Sequence, residues 1–321
     1  MTRPLFASRF SRLCGLLGLF LLAGGWGFSV HRHIHGAAVD ALEAPLHGWF
    51  APHRDWLHEH AVDADKRKRM VPKEAPKHYV DLDAPALACL DSLGATPWFS
   101  SAVKACGEDT LWAYGVLPWN IEWTYRRLVD AMVEGCADDL LRAASDLGHY
   151  VADAHVPLHT SVNYNGQLTG QKGIHGLWET RLPELYGDGY FLAVPPPVVV
   201  RDVGQWAWRT VRESHAAVDS VLDFERTLVK GWVGDLVVRE QRGRVMQLQR
   251  VRPWCEAYHD TLNGMVERQW RTSIHGVASL WTTAWVEAGQ PDLGAILSPV
   301  SQPRRGILRR IRECFGRTGN D

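Results

Sequence analysis

The chain has 321 residues, 46% of them apolar, which is enough for a sizeable buried core in one large domain or two small ones. Its 35 basic and 36 acidic residues leave a formal net charge of −1, which argues against a broad basic footprint for nucleic acid. Fifteen Trp and fifteen His are the compositional oddities, and most Trp rings are expected in the core or in a pocket wall.

Residues 1–12 carry Arg3, Arg9 and Arg12 and no acid, Leu13 to Gly25 is an apolar run, and Ala23 and Gly25 are small residues at cleavage-site positions. This order predicts a secretory signal over residues 1–25 and an exported protein, periplasmic, secreted or on the outer surface. An uncleaved membrane anchor is the alternative, although a span needs about 20 apolar residues. Export permits disulfides. Cys14 leaves with the signal, and of the remaining Cys89, Cys106, Cys136, Cys255 and Cys314 the first two are the expected pair, with buried free thiols among the rest. No cysteine has the setting of a nucleophile.

Residues 26–69 are dense in His, and Val30 to Leu42 has helical spacing that breaks at Pro45 and Pro52. Lys66 to Arg69 reads as a solvated basic patch, and His78 to Asp83 has the alternation of a short extended segment. Asp109 to Val133 predicts helix around a break at Gly115 to Pro118, and Asp138 to Leu147 predicts a helix that runs on through Asp153. Pro195 to Pro197 mark a loop. A helix beginning near Trp206 is expected to continue through Leu222, and a long terminal helix to run from Leu262 to Trp281. With no internal repeat and no strand-rich block, the fold class is all-α, a single-domain multi-helix bundle over residues 26–300. The tail 301–321 holds Arg304, Arg305, Arg309, Arg310 and Arg312 among apolar residues. It reads either as a disordered tail or as an amphipathic surface helix that touches anionic lipid.

The chemistry concentrates in LGHYVADAHVPLH, Leu147 to His159. His149 and Asp153 stand one helical turn apart, Pro157 ends the helix before it, and the chain swings His159 back toward the same space. Such a pair binds a divalent metal or merely orients a helix, and the segment alone leaves both readings open. GIHGLWE then repeats the spacing with His175 and Glu179. Two His-x3-carboxylate pairs with a third His between them are a metal pattern.

Further candidates complete a series: Trp26 and His31 in WGFSVH, Asp63 and Asp65 in VDADKR, and His78 in HYVDLD. In this order the chain resembles the superfamily of zinc-dependent phospholipases C and single-strand-specific nucleases, over about residues 26–180, with MVERQW in the last helix a looser match. The resemblance implies an all-α bundle with a trinuclear zinc site at one end. Asp65, His78, His149 and Asp153 would hold one Zn2+. Trp26, through its free amine and carbonyl, would hold a second with His31, bridged by Asp153, so signal removal becomes a condition for that ion. His159, His175 and Glu179 would hold the third. Asp65 is preferred over Asp63 and would also act as general base. His58, His60 and His155 are read as surface histidines, while His33 and His35 fall to either side of the face that carries His31.

The implied activity is phosphodiester hydrolysis by metal-activated hydroxide. The short span from His159 to His175 and the choice of Glu179 match the phospholipases, so a phospholipid or related phosphodiester is the expected substrate. WGFSVH lacks the acid that choline-specific phospholipases carry there. The alternatives are a nuclease or 3′-nucleotidase acting on single-stranded nucleic acid, and a non-enzymatic zinc-binding exported protein. No protein partner is expected.

Overall fold

Apolar residues at spacings of three and four commit most of this chain to helices whose buried faces meet in one connected core running from Val30 to Ile296. The computed structural model describes residues 27–242 and 245–296. The expected signal with Cys14, Trp26, Cys314 and the basic tail 301–321 lie outside the described residues.

Four helices, α1 (Gly27–Asp40), α2 (Leu46–Phe50), α3 (Arg54–His60) and α4 (Asp63–Arg67), follow one another through turns near Pro45 and Pro52. Next come α5 (Phe99–Cys106), α6 (Glu108–Tyr114) and the long pair α7 (Leu117–Glu134) and α8 (Ala137–Ala154). Short α9 (Ile174–Gly176) and α10 (Leu182–Tyr186) flank a π turn, Leu177–Arg181. α11 (Val203–His215), α12 (Val218–Gly231), α13 (Arg252–Thr261) and α14 (Met265–Glu287) complete the helices. Strands β1 (Val237–Arg242) and β2 (Val245–Arg250) form an antiparallel hairpin. The fold is therefore all-α, a multi-helix domain with this one hairpin among the described residues.

The boundaries have local causes. Pro118 sits in the first turn of α7, where its missing N–H costs nothing, and Gly135 ends the helix in the left-handed conformation at φ 65°. Asp138 and Asp139 lie in the first turn of α8, where carboxylates favour the helix dipole. At its other end Val156, ahead of Pro157, is extended at φ −90° and ψ 113°. α7 lies along α8, and α14 packs on both and on α1. Trp281 fixes this junction: its ring stacks on Phe50 at 4.9 Å and its Nε1 donates to the Ala144 carbonyl at 3.1 Å.

Several expected elements differ from the structure. The helix expected from Trp206 through Leu222 is two helices, parted at Ala216 and Ala217. The terminal helix starts only at Met265, because Asn263 and Gly264 adopt positive φ of 49° and 70°. His78 closes a tight 3-10 turn, Ala75–His78, before the chain extends. Val80 and Leu82 then donate to the carbonyls of His159 and Thr160, both at 2.9 Å, which lays two metal-motif segments side by side. The hairpin at 237–250 had no counterpart in the expected elements. Cys89 and Cys106 form the expected disulfide, with Cα atoms 5.6 Å apart, while Cys136 and Cys255 are free and only Cys255 is buried.

Gly115 lets this arrangement close. It holds φ 94° and ψ 150°, a region kept almost entirely for glycine, and a Cβ there would lie 2.1 Å from the Tyr79 carbonyl oxygen. Gly115→Ala is expected to cost about 3 kcal/mol or more. Urea unfolding checks this, and a loss below about 0.5 kcal/mol would refute the account.

Candidate metal centre

Three groups of side chains place ligand atoms within 4.8 Å of one another: His31 with His149 and Asp153, Asp65 with His78 and His149, and His159 with His175 and Glu179. These are the eight sequence candidates that fall among the described residues. α8 supplies His149 and Asp153 from one face, α1 supplies His31, α4 supplies Asp65, the 3-10 turn supplies His78, and the turn after Pro157 supplies His159. α9 carries His175 and the π turn carries Glu179. Such a turn inside a helical segment recurs at functional sites because it re-aims side chains.

Asp153, 1% exposed, stands at the middle. Its Oδ2 lies 2.8 Å from His78 Nδ1 and 3.3 Å from His149 Nε2, and its Oδ1 lies 3.5 Å from His31 Nε2 and 3.7 Å from His159 Nδ1. The ion pairs also decide between the two aspartates of VDADKR. Asp65 faces His78 and His149 at 3.8 and 3.6 Å, whereas Asp63 turns to His60 and Lys66 at 2.5 and 2.7 Å.

The imidazoles are held as ligands need to be held. His149, His159 and His175 each direct Nδ1 at a backbone carbonyl, of Ala61, His78 and Tyr164 respectively, at 2.8, 2.6 and 3.1 Å. An N–H donated there fixes the tautomer and leaves Nε2 free for an ion. His78 has the opposite sense: Nδ1 faces the site, while Nε2 is buried without a hydrogen-bond partner 3.9 Å from Glu74 Oε1.

Glu74 has no signal in the sequence as a site residue, yet it is 2% exposed and tightly held. Tyr150 donates to its Oε1 at 2.6 Å and Lys77 to its Oε2 at 2.9 Å. Burial works to raise its pKa, but the Tyr150 and Lys77 hydrogen bonds and Arg67 hold it below the usual range. An open pocket of about 290 Å3, lined by Arg67, Glu74, Asp146 and Tyr150 among others, backs this carboxylate, and none of the eight ligand candidates lines it. At 3.9 Å Glu74 makes no hydrogen bond to His78, but its buried negative charge favours a more basic ring. Glu74→Gln is expected to weaken metal binding by roughly tenfold, read by competition with a chromophoric chelator. Unchanged affinity would remove Glu74 from the site.

The electrostatics favour positive charge at the centre. Burial pushes His31 down to about 4, helped by His149, and pushes His78 down to about 3. For His149, burial is overcome by Asp153 and Asp65, and its pKa rises to about 9. Burial is likewise outweighed at the carboxylates. His149 and Lys68 bring Asp65 down to about 2, and neighbouring histidines hold Asp153 and Glu179 well below their usual range. His78 Nδ1 and His149 Nε2 meet at 3.0 Å, and the His31 and His149 rings stack at 4.0 Å. Three carboxylates so close together draw positive charge: against burial, Asp153 pushes His149 and His159 up and Lys68 sits on Asp65, and bound cations would supply the same charge. These buried groups could hold metal ions.

Two other expectations are corrected. Lys66 to Arg69 is not simply a solvated patch. Lys68 turns inward, its Nζ 2.7 Å from Asp65 Oδ1, and Arg67 reaches Asp146 at 2.8 Å and Glu74 at 3.1 Å. His155 is not on the surface but 7% exposed, with Nδ1 2.8 Å from the Val151 carbonyl. His35, off the ligand face as expected, is buried between the carbonyls of His31 and Ser145. His33 is exposed. Trp26 lies outside the described residues, but a Cβ on Gly27 would be 3.7 Å from Glu179 Oε1, so α1 starts against the third group. No protein-family model matches this chain, and no curated protein does.

Proposed function

We propose that the protein is a zinc-dependent phosphodiester hydrolase of the phospholipase C type. The observation that carries this reading is the crowding of the three groups: His149 belongs to two of them, and Asp153 lies in reach of His31, His78 and His149 at once. The motif order that resembles the phospholipase and nuclease superfamily supports the same reading. So does the donor set of imidazole nitrogens and carboxylate oxygens with no thiolate, which suits zinc. The start of α1 beside Glu179 supports a part for Trp26 alongside His31.

Zinc bound there would supply Lewis-acid charge to the phosphoryl oxygens and lower the pKa of water toward neutrality. The chain's own residues do the rest. Asp65 is the most open of the three carboxylates, with 20% side-chain exposure against 13% for Glu179 and 1% for Asp153, and it takes the proton of the attacking water. Lys68, beside it, offers a fixed positive charge to a phosphoryl oxygen and balances charge that develops there. The carbonyls behind His149, His159 and His175 keep the three rings from turning.

One observation favours a second reading. Tyr164 is 53% exposed beside His175, at 6.2 Å between rings, and offers a stacking face to a nucleobase. A single-strand nuclease would use it. The deciding experiment is hydrolysis by protein beginning at Trp26, comparing phospholipids with single-stranded DNA and RNA, with and without chelator and zinc add-back. Chelator-sensitive release of diacylglycerol supports the phospholipase reading. Nucleotide release moves the protein to the nuclease branch, and inertness toward all substrates with zinc bound overturns the hydrolase.

A further inference from the structure

A two-stranded hairpin resting on a protein body normally turns its apolar residues inward and its polar residues to water. The β1–β2 hairpin departs from this pattern. Its inward face mixes Glu240, Arg242, Gln247 and Gln249 with Val238 and Val245, while large apolar side chains stay exposed on the other face. Arg181 grips Glu240 with two hydrogen bonds, at 3.1 and 2.6 Å, and Arg242 pairs with Glu184. The outward face sets Arg239 opposite Leu248 and Gln241 opposite Met246, with Val237 at the strand start. Leu248 is 67% exposed, Met246 58% and Val237 48%, and Val233 just before the hairpin is 95% exposed.

The outward face therefore presents Val237, Met246 and Leu248 with Arg239 and Gln241 and carries no carboxylate, while its Arg250, opposite Val237, is held by Glu225 of the body. The one carboxylate within the strands, Glu240, is turned inward to Arg181. A face of apolar side chains with a cation complements an anionic lipid surface, where the apolar groups enter the acyl boundary and the guanidinium meets phosphate. The hairpin is also fixed to the segment that holds the third metal group, because Arg181 belongs to the same π turn as Glu179.

We propose that the outward face of this hairpin docks the protein on an anionic lipid surface. The choice of lipid over other partners rests on the phospholipase-like reading; the docking itself does not require turnover. The test is co-sedimentation of the whole chain, with chelator present, on vesicles of phosphatidylcholine alone and of phosphatidylcholine with 30 mol% phosphatidylglycerol. Binding to the anionic vesicles is expected. It should fall by roughly tenfold or more in Met246→Ser/Leu248→Ser and in Arg239→Glu, and both variants should keep the parent's melting temperature because their side chains are exposed. Equal binding by parent and variants, or none by either, overturns the proposal. So does a concentration-dependent dimer that the same substitutions abolish, since the face would then belong to a second copy. Hydrolysis of a short-chain, water-soluble phosphodiester separates the two readings. Face-dependent vesicle binding without any hydrolysis leaves docking standing and removes the hydrolase, and hydrolysis without face-dependent binding does the converse.

Discussion

Asp153→Asn is expected to lower metal affinity and any chelator-sensitive hydrolysis by at least roughly a hundredfold, more than the loss of a group that acts only through a ligand. The substitution keeps size and shape but removes the charge at the meeting point of His31, His78, His149 and His159, and it places an amide donor among imidazole nitrogens. Metal stoichiometry after dialysis against limiting zinc checks it. Asp63→Asn is the control, since Asp63 is engaged with His60 and Lys66 outside the three groups, and it should leave stoichiometry unchanged. If the two variants bind metal equally well, Asp153 is not a ligand.

The second large effect is a loss of stability in acid. His155 is buried at the end of α8, and burial pulls its pKa down from 6.5 to about 4 against a single hydrogen bond to Val151. Below pH 6.5 the unfolded chain takes up a proton that the folded chain refuses. The contribution of His155 is therefore fully present above pH 6.5 and is lost as the pH falls toward 4, about 3 kcal/mol in all. Burial also draws His35 down to about 4, although the carbonyls of Ser145 and His31 on its two ring nitrogens favour the protonated form, so His155 is the cleaner probe. Urea midpoints of chelated protein at pH 7 and pH 4.5 should differ markedly less in His155→Gln than in the parent. An unchanged difference would mean that acid acts elsewhere.

The site was more legible in the sequence than the fold boundaries were. Ligand spacing is local on α8 and around α9, where His149 with Asp153 and His175 with Glu179 repeat one helical turn, so these pairs announce themselves. Asp65 and His78 stood out only by motif order, and their neighbourhood could not be read from spacing, because α4 and the 3-10 turn meet α8 through tertiary packing alone. Glu74 and Lys68 were missed for the same reason. A charged residue in a basic or acidic run looks solvated until a distant helix covers it, as α8 does here. His155 failed in the other direction: next to ligand residues, a polar ring that only fills a buried corner looks like surface. The hairpin escaped because its alternation does not sort apolar from polar: Val238 and Val245 share the inward face with Glu240 and Arg242, and Arg239 shares the outward face with Val237, Met246 and Leu248.

The carbonyl clamps on His149, His159 and His175 belong to Ala61, His78 and Tyr164, and the first two tie their rings to residues 88 and 81 positions earlier in the chain. An ion seated among these rings would therefore act as a removable cross-link between regions that no disulfide joins among the described residues, since Cys89 and Cys106 tie only a neighbouring stretch. Free-metal concentration then becomes a thermodynamic variable of folding: each tenfold rise above the dissociation constant of an ion that binds only the folded chain adds about 1.4 kcal/mol. The melting temperature would then report on the metal supply of whatever compartment the chain occupies.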